Sequence, residues 1–245
     1  MNAVLVGATK GMGRALARRM AVRGDRVFLL GRDLLDLARS AADLELRGTG
    51  APVGFAHLDL EQPEGFASAL DQAEVALGGF DTVVVSAGVF APQEVLEKDP
   101  ALLATLLSVD FTNTVLLCEE TRRRLLARGG GTLCVFSSVA GDRARKPVIL
   151  YGAAKAGLSH YLEGIDHKYR NAGLRSITIK PGFVRTSMTA GLSPPPFAGE
   201  PDAVAASVLR GLDRGRPIVY VPGIWRLILG VIRWLPRRVM RRIGF

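Results

Sequence analysis

Cysteine is scarce. Cys118 and Cys134 are the two in 245 residues, each inside an apolar stretch (VLLCEE, TLCVFS) without CxxC or Cys/His spacing. This excludes a disulfide framework, argues against a metal site and fits a reduced compartment. Also missing is any run of about 20 apolar residues able to span a bilayer. The chain passes straight into an apolar strand, Ala3-Val4-Leu5-Val6, without the basic start and longer apolar core of a secretory leader, so a cytoplasmic protein is expected. No internal repeat and no long flexible linker occurs. A general basic coat is missing too. The net charge is +9, from 32 Lys and Arg against 23 Asp and Glu. Six of those charges, Arg226, Arg233, Arg237, Arg238, Arg241 and Arg242, lie between Ile224 and Phe245, where there is no acid. Nucleic acid is therefore not an expected partner.

What is present is a hydrophobic content of 48%, ample for a core without staples. Short Val- and Ile-rich runs predict strands at Ala3–Val6, Arg26–Leu30, Val53–His57, Thr82–Val85, Gly131–Phe136, Arg175–Lys180 and Pro217–Val221. Helical patterns separate them, at Met12–Val22, Asp33–Leu46, Glu64–Leu77, Ala101–Leu126, Tyr151–Tyr169 and Pro201–Leu209. Strands apolar throughout and separated by helices imply a mostly parallel sheet covered on both faces. The expected fold is a doubly wound, seven-stranded α/β domain of Rossmann type over residues 1–223, with an amphipathic helical tail over 224–245.

The first strand runs into Gly7-Ala8-Thr9-Lys10-Gly11-Met12-Gly13 and a helix follows. Glycines there allow a tight turn, bring backbone N–H groups to a pyrophosphate and let helix pack on strand. The second strand ends at Gly31-Arg32-Asp33, without the acid that would hold a ribose 2′-hydroxyl. Arg32, with Lys10, suits a 2′-phosphate through charge-assisted hydrogen bonds of about 1.5–3 kcal/mol each. Two such contacts favour NADP(H) over NAD by roughly 100-fold or more. Asp33 is read as a helix N-cap, and Asp59, followed by Leu60, is placed to bind the adenine edge.

Tyr151 and Lys155 stand at i and i+4 at the start of a helix, and Ser138 ends the strand before it. An ammonium about 4 Å from a phenol, at an effective dielectric of about 20, would lower the phenol pKa by roughly three units at most. That favours general acid–base work, with Ser138 donating to the same carbonyl oxygen.

Together, Gly7-x-x-x-Gly11-x-Gly13, Asp59, Ser86-Ala87-Gly88, Ser137-Ser138-Val139-Ala140-Gly141, Tyr151-x-x-x-Lys155 and Lys180-Pro181-Gly182 resemble the short-chain dehydrogenase/reductase family over the chain to about Val221. The resemblance implies hydride transfer between a nicotinamide cofactor and a carbonyl carbon, commonly in a homo-oligomer such as a dimer or tetramer. It implies that Tyr151 and Lys155 also touch the cofactor, and that Ala87, Gly88, Pro181, Gly182, Val184 and Thr186 line its site. The family's fourth catalytic residue is an asparagine, and here Asp110 stands in its place; Val85-Ser86 stands where two asparagines usually precede Ala-Gly. Asp110 is expected in the proton relay, or else in a structural role. The loop from Ser187 to Gly199 is expected to close over substrate.

Between Ser138 and Tyr151 lie Arg143, Arg145 and Lys146. They suit an anionic substrate group, or equally a solvent-facing loop. In the tail, IWRLILGVIRWL places Arg226 and Arg233 on one face of an otherwise apolar helix with Trp225 and Trp234. That composition suits an anionic membrane surface, or a helix packed on the sheet or across a dimer contact. The serine-to-lysine segment and this tail are similar to decaprenylphosphoryl-2-keto-ribose reductases, which implies a lipid-linked or apolar keto substrate. A soluble 3-ketoacyl or small-carbonyl reductase with a dimerising tail, and a catalytically weak NADP-binding regulator, are the alternatives.

Overall fold

The computed structural model describes residues 1–195 and 197–243. Pro196, inside the expected closing loop, and the last two tail residues, 244 and 245, lie outside the described residues. Seven strands, β1 (Asn2–Val6), β2 (Arg26–Gly31), β3 (Gly54–His57), β4 (Thr82–Val85), β5 (Gly131–Phe136), β6 (Leu174–Pro181) and β7 (Ile218–Val221), form one sheet in the order β3-β2-β1-β4-β5-β6-β7. Every neighbouring pair is parallel. The doubly wound fold is as expected, and strand boundaries differ from the expected ones by one residue at most.

Alternation along the strands builds two cores. Val4, Val6, Phe28, Leu30, Val83, Val85, Leu133 and Val135 face one layer. Ala3, Leu5, Val27, Leu29, Val84, Cys134, Ile177 and Ile179 face the other. The second layer is closed by α1 (Gly11–Arg23), α2 (Leu34–Arg47) and later α8 (Pro201–Asp213). The first is closed by α3 (Phe66–Leu77), by the central helix described next and by α7 (Ile149–Tyr169). Asp33 caps α2 as expected, accepting from the Asp36 N–H.

After the single-turn α4 (Gln93–Leu96), the central helix runs as α5 (Pro100–Leu107), a π-helical turn (Ser108–Thr112) and α6 (Asn113–Ala127). By length and composition this 28-residue stretch could cross a membrane, which corrects the expectation that no such segment exists. Its Leu117, Cys118 and Leu125 are nevertheless fully buried in the first core. Cys118 and Cys134 therefore lie in different layers, and burial pushes both thiols up.

The tail forms α9 (Ile224–Ile232) and α10 (Arg237–Arg242). Leu229 is buried, whereas Leu227, Val231 and Trp234 are 70%, 67% and 88% exposed. The tail is tied to the loop before α7, since Arg143 donates to the Leu235 carbonyl and Lys146 Nζ to that of Arg241 at 2.8 Å.

Candidate active site

Parallel strands aim their carboxyl ends at one edge of the sheet, and the order reverses between β1 and β4, which opens a crevice there. A cleft of about 310 Å³ occupies it, lined by the glycine turn, Arg32, Asp59, Leu60, Ala87, Gly88 and Thr186. The turn requires its glycines at two points. Gly7 has φ +82°, and a Cβ there would lie 2.6 Å from the Ala87 backbone. A Cβ on Gly13 would lie 2.5 Å from the Gly7 carbonyl oxygen. Ser86, the departure beside Ala87, is not idle: its hydroxyl donates to the Val6 and Gly7 carbonyls at 3.0 and 3.2 Å, holding the end of β4 against the turn. Asn113 Nδ2 donates to the Leu60 carbonyl at 2.6 Å and fixes the opposite wall. A cradle that any side chain would fill, beside the N-terminus of α1, fits a dinucleotide pyrophosphate.

Both cations assigned to the cofactor line this cleft, each already beside a carboxylate. Lys10 Nζ is 2.9 Å from Asp36 and Arg32 3.4 Å from Glu61. Lys10 holds the Asp36 carboxyl below its usual range. Such exposed pairs are weak, so a phosphate can displace them. Asp59 Oδ1 accepts from the Glu61 N–H at 2.9 Å, which turns the loop and commits that oxygen. Val89, Asp36 and Met188 also line the cleft. They were not identified from the sequence, because their only signal is adjacency to residues that were.

A second cavity, of about 560 Å³, adjoins the first through Met12, Thr186 and Met188, which line both. Ser138, Tyr151, Pro181, Gly182 and Val184 lie on its wall. Ser138 Oγ accepts from the Ala140 N–H at 3.1 Å, and Ser137 Oγ donates to the Lys155 carbonyl at 3.0 Å, docking the start of α7 against the end of β5. The Tyr151 ring is held edge-to-face by Phe90 at 5.2 Å. Lys155 lines neither cavity; it is buried, with Nζ 5.6 Å from the Tyr151 ring centroid and 3.3 Å from Asp110 Oδ2.

Asp110 sits in the π turn, fully buried. Oδ1 accepts from the Val89 N–H at 2.8 Å, while Oδ2 faces Lys155 without an aligned hydrogen bond. Gly88 makes room for the pair, since a Cβ there would lie 2.9 Å from Asp110 Oδ1. Burial pushes the Asp110 carboxyl up, against the pull of Lys155. Burial alone would lower Lys155, but the charges of Asp110 and then Tyr151 reverse this and hold it above its ordinary value. The consequence corrects the expectation for Tyr151. Burial raises its phenol, Lys155 lowers it, Asp110 raises it again, and the net direction is up. Burial, with the Asp110 carboxylate added to it, outweighs the Lys155 charge that was expected to acidify the tyrosine.

Below the basic loop, Asp142 accepts from Lys180 Nζ and from the Tyr220 hydroxyl at 2.7 Å, tying β6 and β7 together. Among the described residues no group of three or more His, Cys, Asp and Glu is placed to hold a metal ion.

Residues 1–196 match the family model for short chain dehydrogenases. An uncharacterized oxidoreductase of Mycobacterium tuberculosis (strain ATCC 25618 / H37Rv) is 33% identical over 240 residues, covering 98% of this chain and 96% of that protein. Cis-4-hydroxycyclohexanecarboxylate dehydrogenase of Sinomonas cyclohexanicum is 31% identical over 193 residues, 78% of this chain and 76% of the relative. Among solved structures, a short-chain type dehydrogenase/reductase from Mycobacterium ulcerans superposes with a TM-score of 0.81 at 21% identity, covering 89% of this chain and 87% of that one.

Proposed function

The chain belongs to the short-chain dehydrogenase family and is an oxidoreductase with a nicotinamide dinucleotide site; from that premise we propose that it is an NADP(H)-dependent reductase of a keto group, run in reverse for the alcohol. The observation that carries this reading is the placement of Tyr151 and Ser138 on the wall of a cavity that adjoins the glycine cleft. The bound cofactor supplies the hydride. Tyr151 gives its hydroxyl proton to the carbonyl oxygen, Ser138 donates a hydrogen bond to the same oxygen, and Lys155 orients the phenol and returns a proton to it. Asp110 keeps Lys155 charged for that return. Arg32 and Lys10 select the 2′-phosphate by exchanging Glu61 and Asp36 for it. Oxidation of NADPH by a panel of ketones tests the reading: Tyr151→Phe should cut kcat by about 10²- to 10⁴-fold. Activity unchanged in the variant would end this mechanism.

The tail, taken as an accessory segment over 224–245 on the catalytic domain 1–223, favours a membrane-associated or lipid-linked keto substrate, such as a lipid-linked sugar. What supports this is its outward face, where Leu227, Val231 and Trp234 stand exposed among Arg226, Arg233, Arg237 and Arg238. Apolar groups interleaved with exposed cations suit the anionic cytoplasmic leaflet. Flotation with phosphatidylglycerol vesicles should carry the full chain and leave a form lacking 224–245 behind; equal flotation would turn the proposal toward a soluble homo-oligomer with a tail contact.

A further inference from the structure

In the loop before α7, Arg143 and Lys146 donate to main-chain carbonyls of the tail. Arg145, half-buried, lines the cavity that holds Tyr151, and among the described residues it is the one Lys or Arg on that wall. Phe90, Val148, Phe183 and Leu192 make much of the remaining surface apolar, and the acid Glu94 is exposed. The other notable wall is Trp225. It comes from α9, beyond the residues the family model matches, and turns inward while Trp234 turns out. Its indole is pressed onto Gly182, where an added Cβ would lie 1.9 Å from Nε1. The two tryptophans that the sequence presents alike thus have opposite places.

We propose that Arg145 and Trp225 form a distal subsite that selects keto substrates bearing an anionic oxygen group, a carboxylate or a phosphate ester, on an apolar body. The proposal rests on the keto-reductase reading for placing the carbonyl at Tyr151. A cavity of about 560 Å³ is larger than a simple ketone needs, leaving room for a body between carbonyl and anion. A guanidinium in a mostly apolar wall binds a carboxylate or a phosphate with two parallel hydrogen bonds, more strongly than it binds a neutral ester. The Trp225 ring supplies the flat apolar surface along which that body lies.

The chain has two tryptophans, so in a Trp234→Phe background Trp225 alone reports on the cavity. Its fluorescence, in the NADP⁺ complex, is titrated with 4-acetylbenzoate, 4-acetylphenyl phosphate and methyl 4-acetylbenzoate. One or both anions should bind at least tenfold tighter than the ester, and which of them does so identifies the anion. Arg145→Met should cost the preferred anion tenfold or more and the ester less than threefold; Arg145→Lys should recover part of the preference. Equal binding of acid and ester, equal losses for all three in Arg145→Met, or no response of Trp225 to any of them would overturn the subsite. Anion-selective binding without hydride transfer to any ketone would instead sink the reductase reading and leave the subsite standing. Turnover of acid and ester alike would do the reverse.

Discussion

The glycine-lined cleft and the cavity that holds Tyr151 share Met12, Thr186 and Met188, yet they are built from different materials. The cleft is made of strand ends, glycines and backbone amides, all fixed by the sheet. Beyond Met12, the cavity is walled by four stretches distant in sequence, at 90–94, 137–151, 181–195 and 225, the last supplied by the tail. Chemistry common to a family suits the first kind of site, where a Cβ at Gly7 or Gly13 would collide. On the proposed reading, substrate choice falls to the second, whose walls change without disturbing the sheet.

Substitutions on the two sides should separate accordingly. The largest effect is expected from Gly7→Val, which forces a β-branched residue to φ +82° and a Cβ to within 2.6 Å of Ala87. It should weaken cofactor binding beyond measurement and cost about 2–4 kcal/mol of stability, read by NADPH titration and thermal unfolding. Next, Arg32→Ala with Lys10→Ala should lose about 100-fold in NADPH affinity and little in NADH affinity; equal losses would deny the 2′-phosphate role. On the cavity side, Trp225→Ala should change the ratio of kcat/KM between bulky and small ketones by about tenfold while altering NADPH affinity far less. If both parameters fall together, the two sites are not separable.

Asp110→Asn falls between the two sides. The carboxylate raises both Tyr151 and Lys155, so removing its charge should lower both. The rising limb of alcohol oxidation, which needs the deprotonated phenol, should therefore move to lower pH, while ketone reduction, which needs the protonated form, should fail earlier as pH rises. An unmoved profile would reduce Asp110 to a structural anchor for Val89. The smallest effect is expected at the clamp, where Lys146→Ala should cost about 0.5–1 kcal/mol in thermal unfolding.

The same contrast explains what was legible in the sequence. Gly7, Gly13, Ser138, Tyr151 and Lys155 were readable because turn, strand end and helix register are local properties. The π turn at Asp110 was not, because nothing in Ser108–Thr112 distinguishes it from the helix on either side; its extra residue is fixed by Val89 and Lys155 from elsewhere. The raised phenol of Tyr151 was missed for the same reason, since burial and a distant carboxylate outweigh the neighbour at i+4. In the tail, apolar and basic character was plain, but the inward turn of Trp225 is decided by Gly182.

The placement of the two cysteines has a practical consequence. Cys118 belongs to one face of the sheet and Cys134 to the other, both fully buried with thiols pushed up. A thiol reagent reaches either only when its own layer opens, because burial bars access and disfavours the reactive thiolate. The chain thus carries two native opening gauges, one per layer, and alkylation rates of single-cysteine variants would time the loosening of each side of the sheet separately.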